Sequence, residues 1–528
     1  MDIVMSLFND GIKRIATAGM ALLVMGSVAG CGASSAEKTI EVTEHNTVLA
    51  QSPKGNSKYE TRIQTPGIFV DQKGYNADSD KTVVFLAKEM PKNFNIIDLE
   101  TKAVVYTGEI IKPVLDEASG KYYGIGRFND FNEPGTYYIY ADTIGESYSF
   151  SVGEDVYDDV FRRAAQKYYI NRCGIAISQT VAGDNGHSAC HTTQAHLQDN
   201  ADVALDVTGG WHMDGQADRD SLIGGRVIEN LLLAYEMNSD AFTDDNSLPE
   251  SGNGIPDIID EAKYEADWLL KMQDSKTGGV YSAAITQGEG TADIFAAPVV
   301  VGSISMDATI EFAAAMARFS YLYQQYDGEF ATTALKAADR AYESFLNNQK
   351  ATDSSMAFDA AAQLYRATGS SKYNDVLTQY FNMDDFNDRF EKDENIFFGS
   401  VTYLSTSRGV DKNQCSILIK ALMNRAEDIA KRASTNTFPV ADLSEADGFE
   451  QLLDDIRCLT VTNHIIYNHE YKTIIENHLH FLMGMNPSCI NYVTGDTERT
   501  YLDDPTKSGL MNDPVSNALL MLLVSAVK

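Results

Sequence analysis

The sequence predicts a small all-β domain of the sandwich type followed by a large all-α domain. Three observations carry this. Short β-branched and aromatic runs recur at close spacing between residues 62 and 153. From Tyr157 onward the apolar pattern switches to a period of 3.6 residues. That period then returns in about eleven segments over about 370 residues, with almost no strand signal between them.

The N-terminus reads as a processing segment. Lys13 and Arg14 precede an apolar run from Ile15 to Val28, and the run ends in Val28-Ala29-Gly30-Cys31. Small residues before a cysteine resemble a bacterial lipobox, in which the cysteine becomes the lipidated first residue of the mature protein. The run is shorter than the roughly 20 residues that a membrane span needs. Residues 1–31 are therefore expected to be a lipoprotein signal peptide with Cys31 as the lipidation site. The alternative is an ordinary signal peptide with an incidental Cys31. Residues 32–61, rich in Ser, Thr, Glu, Lys and Asn, read as a flexible tether. The expected location is outside the cell, anchored by lipid to the bacterial membrane.

In residues 62–153 the strand signals are Ile68-Phe69-Val70, Thr82 to Leu86, Asn95 to Asp98, Ala103 to Tyr106, Gly135 to Tyr140 and Tyr148 to Val152. About 90 residues suit one sandwich. In residues 154–528, Val160, Phe161, Ala164, Ala165, Tyr168 and Tyr169 share one helical face. Further helices are expected at 222–235, 257–272, 307–326, 332–348, 354–368, 374–380, 413–433, 444–468, 470–483 and 513–527. Paired helices of this number allow a closed toroid, which periodicity alone does not establish.

The charge balance is 42 basic against 75 acidic side chains, a formal net charge of -33. Phosphate would be repelled, which argues against a nucleic-acid partner. An acidic surface suits a soluble monomer handling neutral ligands such as sugars. No Gly-x-Ser-x-Gly elbow and no phosphate-binding glycine loop is present.

Several motifs resemble, in order, one known family. Val70-Asp71-Gln72-Lys73-Gly74-Tyr75 is similar to the opening strand of the immunoglobulin-like domain that precedes many family 9 glycoside hydrolases. Tyr168-Tyr169-Ile170-Asn171-Arg172-Cys173-Gly174, His187 to His191, and Gly209-Gly210-Trp211-His212 resemble the start of that family's catalytic domain. Gly252 to Glu261, Trp268 to Gln273, Ala361 to Gly369, Phe481 to Pro487 and Tyr492 to Gly495 continue the likeness to the C-terminus. The resemblance implies an immunoglobulin-like sandwich followed by an (α/α)6 barrel. It also implies inverting hydrolysis of β-1,4-linked glucans or their oligosaccharides.

Cys173, Cys190, His191 and His212 match positions at which such family members carry a structural zinc. Two thiols and two imidazoles are the ligands that tetrahedral Zn²⁺ prefers, and four of them leave no open coordination position. A Cys173–Cys190 disulfide is the alternative, and His187 and His196 are substitutes within reach. Cys415, Cys458 and Cys489 lie in apolar helical contexts and read as core thiols.

Inverting hydrolysis needs one protonated carboxyl at the leaving oxygen and one carboxylate to activate water on the opposite face. Family members take the base from an Asp-Ala-Gly-Asp turn after the Gly-Gly-Trp motif, and the acid from a Glu before the last helix. Here those positions hold Met213 and Gln216 without gaps, or Asp214 and Ala217 after a shift of one, with Asp218 next. At the acid position stands Met511; Asp513 is the nearest carboxyl and Glu498 a further candidate. The catalytic candidates are Asp214, Asp218 and Asp513. Two other roles compete. Asp214, Asp218 and Asp220 could form a calcium-binding loop, since hard oxygen ligands close in sequence suit Ca²⁺. Asp513 before Pro514 suits a helix N-cap. Tyr281, Tyr403, Tyr492 and Tyr501 are read on loops, and Trp268 as packing. Beside the hydrolase stands a second functional expectation, a silent relative that captures glycan at the cell surface.

Overall fold

The computed structural model describes residues 66–528 apart from 118, 183–185, 289–292, 349–353, 444–448 and 495–508. Cys31, the proposed signal peptide, Glu498 and Tyr501 lie outside the described residues. The first domain contains β1 (Ile68–Phe69), β2 (Gly74–Asn76), β3 (Thr82–Ala87), β4 (Asn93–Asp98) and β5 (Val104–Asp116). It continues with β6 (Lys121–Arg127), β7 (Gly135–Ala141), β8 (Gly145–Glu146) and β9 (Phe150–Gly153). The strand order is β1-β3-β6-β5-β4-β7-β9-β2, with β8 on β7.

The long β5 makes this a sandwich. Its first half pairs with β4 (Ile97↔Val104 to Asn93↔Glu109), and its second half pairs with β6 (Ile110↔Gly126 to Asp116↔Lys121). β3 and β4 are not sheet neighbours, yet the Phe85 and Phe94 rings lie 5.4 Å apart. The two halves therefore face each other across a core. Phe94 lies flat on the sheet because a Cβ at Gly108 or Gly126 would come within 2.3 or 2.6 Å of its ring.

Fourteen helices follow among the described residues. They are α1 (Asp158–Ile170), α2 (Gln179–Ala182), α3 (Ser221–Met237), α4 (Asp257–Lys271), α5 (Met306–Tyr323), α6 (Gly328–Asn348) and α7 (Ser355–Thr368). Then come α8 (Ser371–Phe381), α9 (Phe386–Lys392), α10 (Glu394–Ser405), α11 (Lys412–Thr435), α12 (Glu450–Ile465), α13 (His469–Leu482) and α14 (Pro514–Val527). The helices α3, α5, α7, α10, α12 and α14 form an inner ring. Each packs on the next, α14 returns to α3, and the Arg457–Glu394 ion pair joins α12 to α10. The remaining long helices lie outside and bury one stripe each, such as Ala331, Ala334, Ala338, Ala341 and Phe345 on α6. This is an (α/α)6 barrel.

The inner helices run in one direction. Arg226, in the second turn of α3, meets Glu311 in the second turn of α5 and Asn395 in the first turn of α10. Glu236, at the far end of α3, meets Arg318 and Arg366 near the far ends of α5 and α7. All six N-termini therefore open at one mouth.

The structure departs from the sequence reading in three places. α10 is read as irregular because Ile396 to Ser405 are buried on every face, so no amphipathic period exists. Tyr403, placed on a loop by sequence, is a buried residue of this helix. The connections before α3 and α5 contain short strands: Ala195–Leu197, Asn200–Leu205, Arg219–Asp220, Ala283–Thr286 and Val299–Val301 form a five-stranded sheet. Strands this short carry no readable alternation.

The domains join through buried polar groups. Asp71 accepts hydrogen bonds from Lys73 N (2.8 Å), Gly74 N (3.0 Å) and the Tyr157 hydroxyl (3.0 Å), and its Oδ2 lies 3.0 Å from His480 Nδ1. Burial raises the Asp71 pKa and His480 draws it back. Gln72 N donates to Met483 O (3.0 Å), and Phe438 packs edge-on against Phe69 (5.3 Å) and Phe481 (5.9 Å). Asp71→Ala strands the Tyr157 and His480 partners, so it is expected to cost about 2–3 kcal/mol, read as a lower urea midpoint.

The barrel axis is ionic. Arg226 sits between Glu311 (2.8 Å), Glu229 (3.5 Å) and Glu394 (3.8 Å). Gln363 Nε2 donates to Asp359 (3.1 Å), Thr402 (2.9 Å) and Glu229 (3.4 Å). Burial, with the mutual repulsion of the carboxylates, pushes Glu229 up to about 8 and Glu311 to about 7. A buried carboxyl with a raised pKa keeps its proton in the fold and loses it when unfolded. Its stabilisation is complete below the ordinary 4.5 and is lost as pH rises through 7 to 8. The urea midpoint is therefore expected to fall over that window, and Glu229→Gln is expected to flatten the fall.

Candidate active site and metal centre

Two stretches, 171–173 and 210–212, run side by side at the mouth of the barrel. Cys173 N donates to Gly210 O and His212 N to Asn171 O, both at 2.8 Å. Trp211 fixes the register: its N donates to Glu265 Oε2 (2.8 Å) and its Nε1 to Glu261 Oε2 (3.1 Å). Both carboxyls stand on α4 and are fully buried, which pushes Glu261 up to about 7 and Glu265 to about 8. Arg172 Nε donates to Glu261 (3.2 Å) and its terminal nitrogens to Glu250 (2.9 and 3.2 Å). Gly210 has a φ of +77°, and a Cβ there would lie 2.6 Å from the Trp268 ring. Only glycine lets this strand lie on Trp268.

The pairing brings Cys173 and His212 together, and the loop from 174 to 190 delivers the rest. Ile177 and His187 exchange backbone hydrogen bonds (both 2.9 Å), and Gly174 N donates to Cys190 Sγ (3.3 Å). The ligand atoms of Cys173, Cys190, His191 and His212 all lie within 4.8 Å of one another, and all four residues are buried. Their separations are 3.7 Å for Sγ to Sγ, 3.5 Å for Cys173 to His191 Nδ1, and 3.6 Å for Cys190 to His212 Nε2. A disulfide needs about 2.05 Å, and both cysteines are free thiols. A tetrahedral ion bonded to sulfur at about 2.3 Å and nitrogen at about 2.0 Å has edges of about 3.3–3.8 Å. The three separations match, so the donor set fits a closed four-ligand metal site.

The surroundings favour metal-binding forms. The hydrogen bond with Cys173 lowers the Cys190 thiol, and contacts with His191, His212 and Gly174 N add to the effect. The same contact and burial raise Cys173. Burial lowers His212, leaving a neutral imidazole at pH 7. Ile294 O, 3.2 Å from His191 Nε2, orients that ring with Nδ1 toward the thiols. His187 stays outside the set; its ring stacks on Phe295 at 4.1 Å. His196 is an exposed residue of a short strand. Cys415, Cys458 and Cys489 are buried free thiols, and burial pushes them up to about 11, 12 and 12.

The acidic loop follows immediately. Asp214 is exposed, and its Oδ1 accepts from Gln216 N (2.9 Å) and Asp218 N (3.1 Å). Asp218 is half-buried and accepts from Thr286 N at 2.7 Å. Burial raises the Asp218 pKa; the Thr286 N–H opposes the rise and the Asp214 charge adds to it. Asp220 caps α3 by accepting from Leu222 N and Ile223 N, both at 2.9 Å. The three carboxylates do not converge: among the described residues the Cys–His set is the one grouping fit for a metal. Each of the three carboxylates instead orders backbone through its Oδ1, Asp214 within its own turn, Asp218 at Thr286 and Asp220 at the start of α3.

Asp513 caps α14 through Ser516 N (2.7 Å). Met511 beside it is buried, and its N bonds Val493 O (3.1 Å), while Leu510 N bonds Tyr492 O (2.8 Å). Residues 492–493 and 510–511 are thereby pinned together at the start of α14. Both tryptophans are buried, as are Tyr281 and Tyr492. Sequence reasoning missed Glu261 and Glu265, which hold Trp211; charged residues on an outer helix read as its solvated face. Cys190→Ser and His212→Ala are each expected to abolish metal retention. Each should also lower stability by several kcal/mol, on the order of a structural metal's contribution, as checked by elemental analysis and thermal melting.

Comparison with known proteins agrees with this geometry. Residues 157–514 match the model of glycosyl hydrolase family 9, and residues 64–146 that of the cellulase N-terminal ig-like domain. A cellodextrinase of Butyrivibrio fibrisolvens is 28% identical over 493 residues, covering 84% of this chain and 88% of that protein. Endoglucanase D of Acetivibrio thermocellus is 28% identical over 436 residues, covering 75% and 68%. The structure of a metagenome-derived family 9 endoglucanase superposes with a TM-score of 0.76 at 23% identity, covering 87% of this chain and 98% of that one. The Zn-binding triple mutant of the family 9 endoglucanase J30 gives 0.70 at 22%, covering 85% and 99%. With its cellulase immunoglobulin-like domain packed on a closed six-hairpin barrel, this chain belongs to glycosyl hydrolase family 9, the glycosidases that hydrolyse O-glycosyl bonds.

Proposed function

We propose that the protein hydrolyses β-1,4-linked glucans or their oligosaccharides with inversion, outside a bacterial cell to which Cys31 anchors it. The observation that carries this is the placement of Asp214 and Asp218 on one short turn at the barrel mouth, just before α3. Asp214, exposed to solvent, is assigned to activating the attacking water. Asp218, half-buried and hydrogen-bonded to Thr286 N, orients that water beside it. The proton donor is assigned to the segment between Tyr492 and Pro514, with Glu498 and Asp513 as its candidates. The relatives named a cellodextrinase and an endoglucanase support the substrate class.

A silent, glycan-capturing relative is the second reading. It is favoured by Met511, a buried thioether at the position where the resemblance to the family puts the acid. Reducing-sugar release from mixed-linkage β-glucan and soluble cellulose by the signal-less protein separates the two. The hydrolase reading expects release, and a fall of about 100-fold or more for Asp214→Asn, the size of a lost general base. No release from folded, metal-replete protein would leave the capture reading.

We assign Zn²⁺ to the Cys173, Cys190, His191 and His212 site on the softness and number of its ligands. Filled on all sides, it would clip the loop and leave the chemistry to the carboxyls. Close to one zinc per chain is expected by elemental analysis. A chelator strong enough to strip it should lower the melting temperature before it lowers turnover per folded molecule.

A further inference from the structure

The mouth of the barrel ends on a floor of fixed charge that the acid–base assignments do not use. Glu394 is the first residue of α10, and its side chain is 36% exposed. It pairs with Arg457 and lies 3.8 Å from Arg226 Nε. Arg226 also donates to Asn395 Oδ1 (2.5 Å), and Asn395 Nδ2 donates to Ser355 Oγ (3.3 Å). Arg457 reaches Asp454 as well, and Asp454 is 31% exposed. Both guanidiniums stack over Phe398, at 5.7 and 5.0 Å. Asp359 Oδ2 nearby is a buried oxygen without a protein partner.

Ion pairs facing a barrel mouth are an expensive way to fill space, because desolvation of the charges offsets much of their attraction. Here they form an array that alternates acceptors and donors and is held rigid by ring stacking and by each other. Adjacent sugar hydroxyls each donate and accept, and they match such an array without further ordering of side chains. We infer that Glu394 and Asn395, held in place by Arg226 and Arg457, form a glycosyl-binding floor that takes the hydroxyl groups of one pyranose ring of the substrate. This deepens, and rests on, the β-glucan reading above.

Glu394 is a binding group and not the missing acid. Burial would raise its carboxyl, but Arg457 and Arg226 hold it down at about 2, so it stays ionised throughout the working range. It accepts hydroxyl hydrogens and does not titrate with activity. Glu236 provides an internal control. It also joins two buried arginines, Arg318 and Arg366, but at the opposite end of the axis and only 9% exposed.

The test is calorimetric binding of cellotetraose, in a D214N background that suppresses cleavage, to the otherwise wild-type protein, E394Q, E394D and E236Q, with a melting curve for each. E394Q is expected to weaken binding about 10-fold or more, the loss of hydrogen bonds to a charged group. E394D keeps the charge and the fold but withdraws the acceptor, and is expected to weaken binding too. E236Q is expected to lower the melting temperature and leave the affinity within about twofold. Unchanged affinity in E394Q and E394D, with binding by the otherwise wild-type protein intact, would overturn the floor and leave the glucan reading standing. No binding by that protein when folded would overturn both.

Discussion

Six helices converge on an axis filled with charge, and the rest of the barrel is arranged around that constraint. Arg226 touches carboxylates from two neighbouring inner helices, Glu311 on α5 and Glu394 on α10, besides Glu229 on its own. Such groups tolerate burial only when partners are supplied at matched heights. Arg226 must meet Glu311 in the second turn, and Glu236 must meet Arg318 and Arg366 some three turns later. An apolar axis could tolerate one helix sliding past another by a residue. This one cannot, because a slide would leave several charges unpaired. The shared register places all six helix starts at one end, where the site is built.

At that end the site depends on two clamps of opposite character. Beneath the loop, Glu261 and Glu265 grip Trp211 by its ring and its backbone. Above it, four soft ligands gather three segments that are distant in sequence. Asp214 and Asp218 follow His212 by two and six positions, so the geometry of the turn is inherited from both clamps. A loosened clamp would misplace the carboxylates without touching them, and a displacement of about 1 Å suffices to cost a large part of a catalytic rate.

Much of this is legible in the sequence, and the illegible part has a physical reason. Cys173, Cys190, His191 and His212 stand out because few other residue types can do their chemistry. The outer helices stand out because one face is wet and one is dry. α10 is hidden because both of its faces are dry, and with it Glu394, the residue at the centre of the floor. Glu229 and Glu311 are hidden for the converse reason: in a helix, charge reads as solvent exposure, whereas here it marks the deepest part of the fold. Asp513 suits either catalysis or capping by sequence, and its hydrogen bond to Ser516 N establishes the cap.

The junction around Asp71 has a mechanical meaning. Asp71 and Tyr75 of the sandwich and Tyr157 at the start of the helical domain close on His480 of α13, and Asn76 Nδ2 donates to Val527 O at the end of the barrel's last helix (3.1 Å). The sandwich thus grips the barrel at both its penultimate and its final helix. Stripped of the sandwich, this face of the barrel would present Phe438, Phe481 and the buried His480 to water. The two units are separable in sequence but act as one rigid lever. Any pull applied to the chain ahead of residue 66 would be carried through the sandwich into the helices that close the ring.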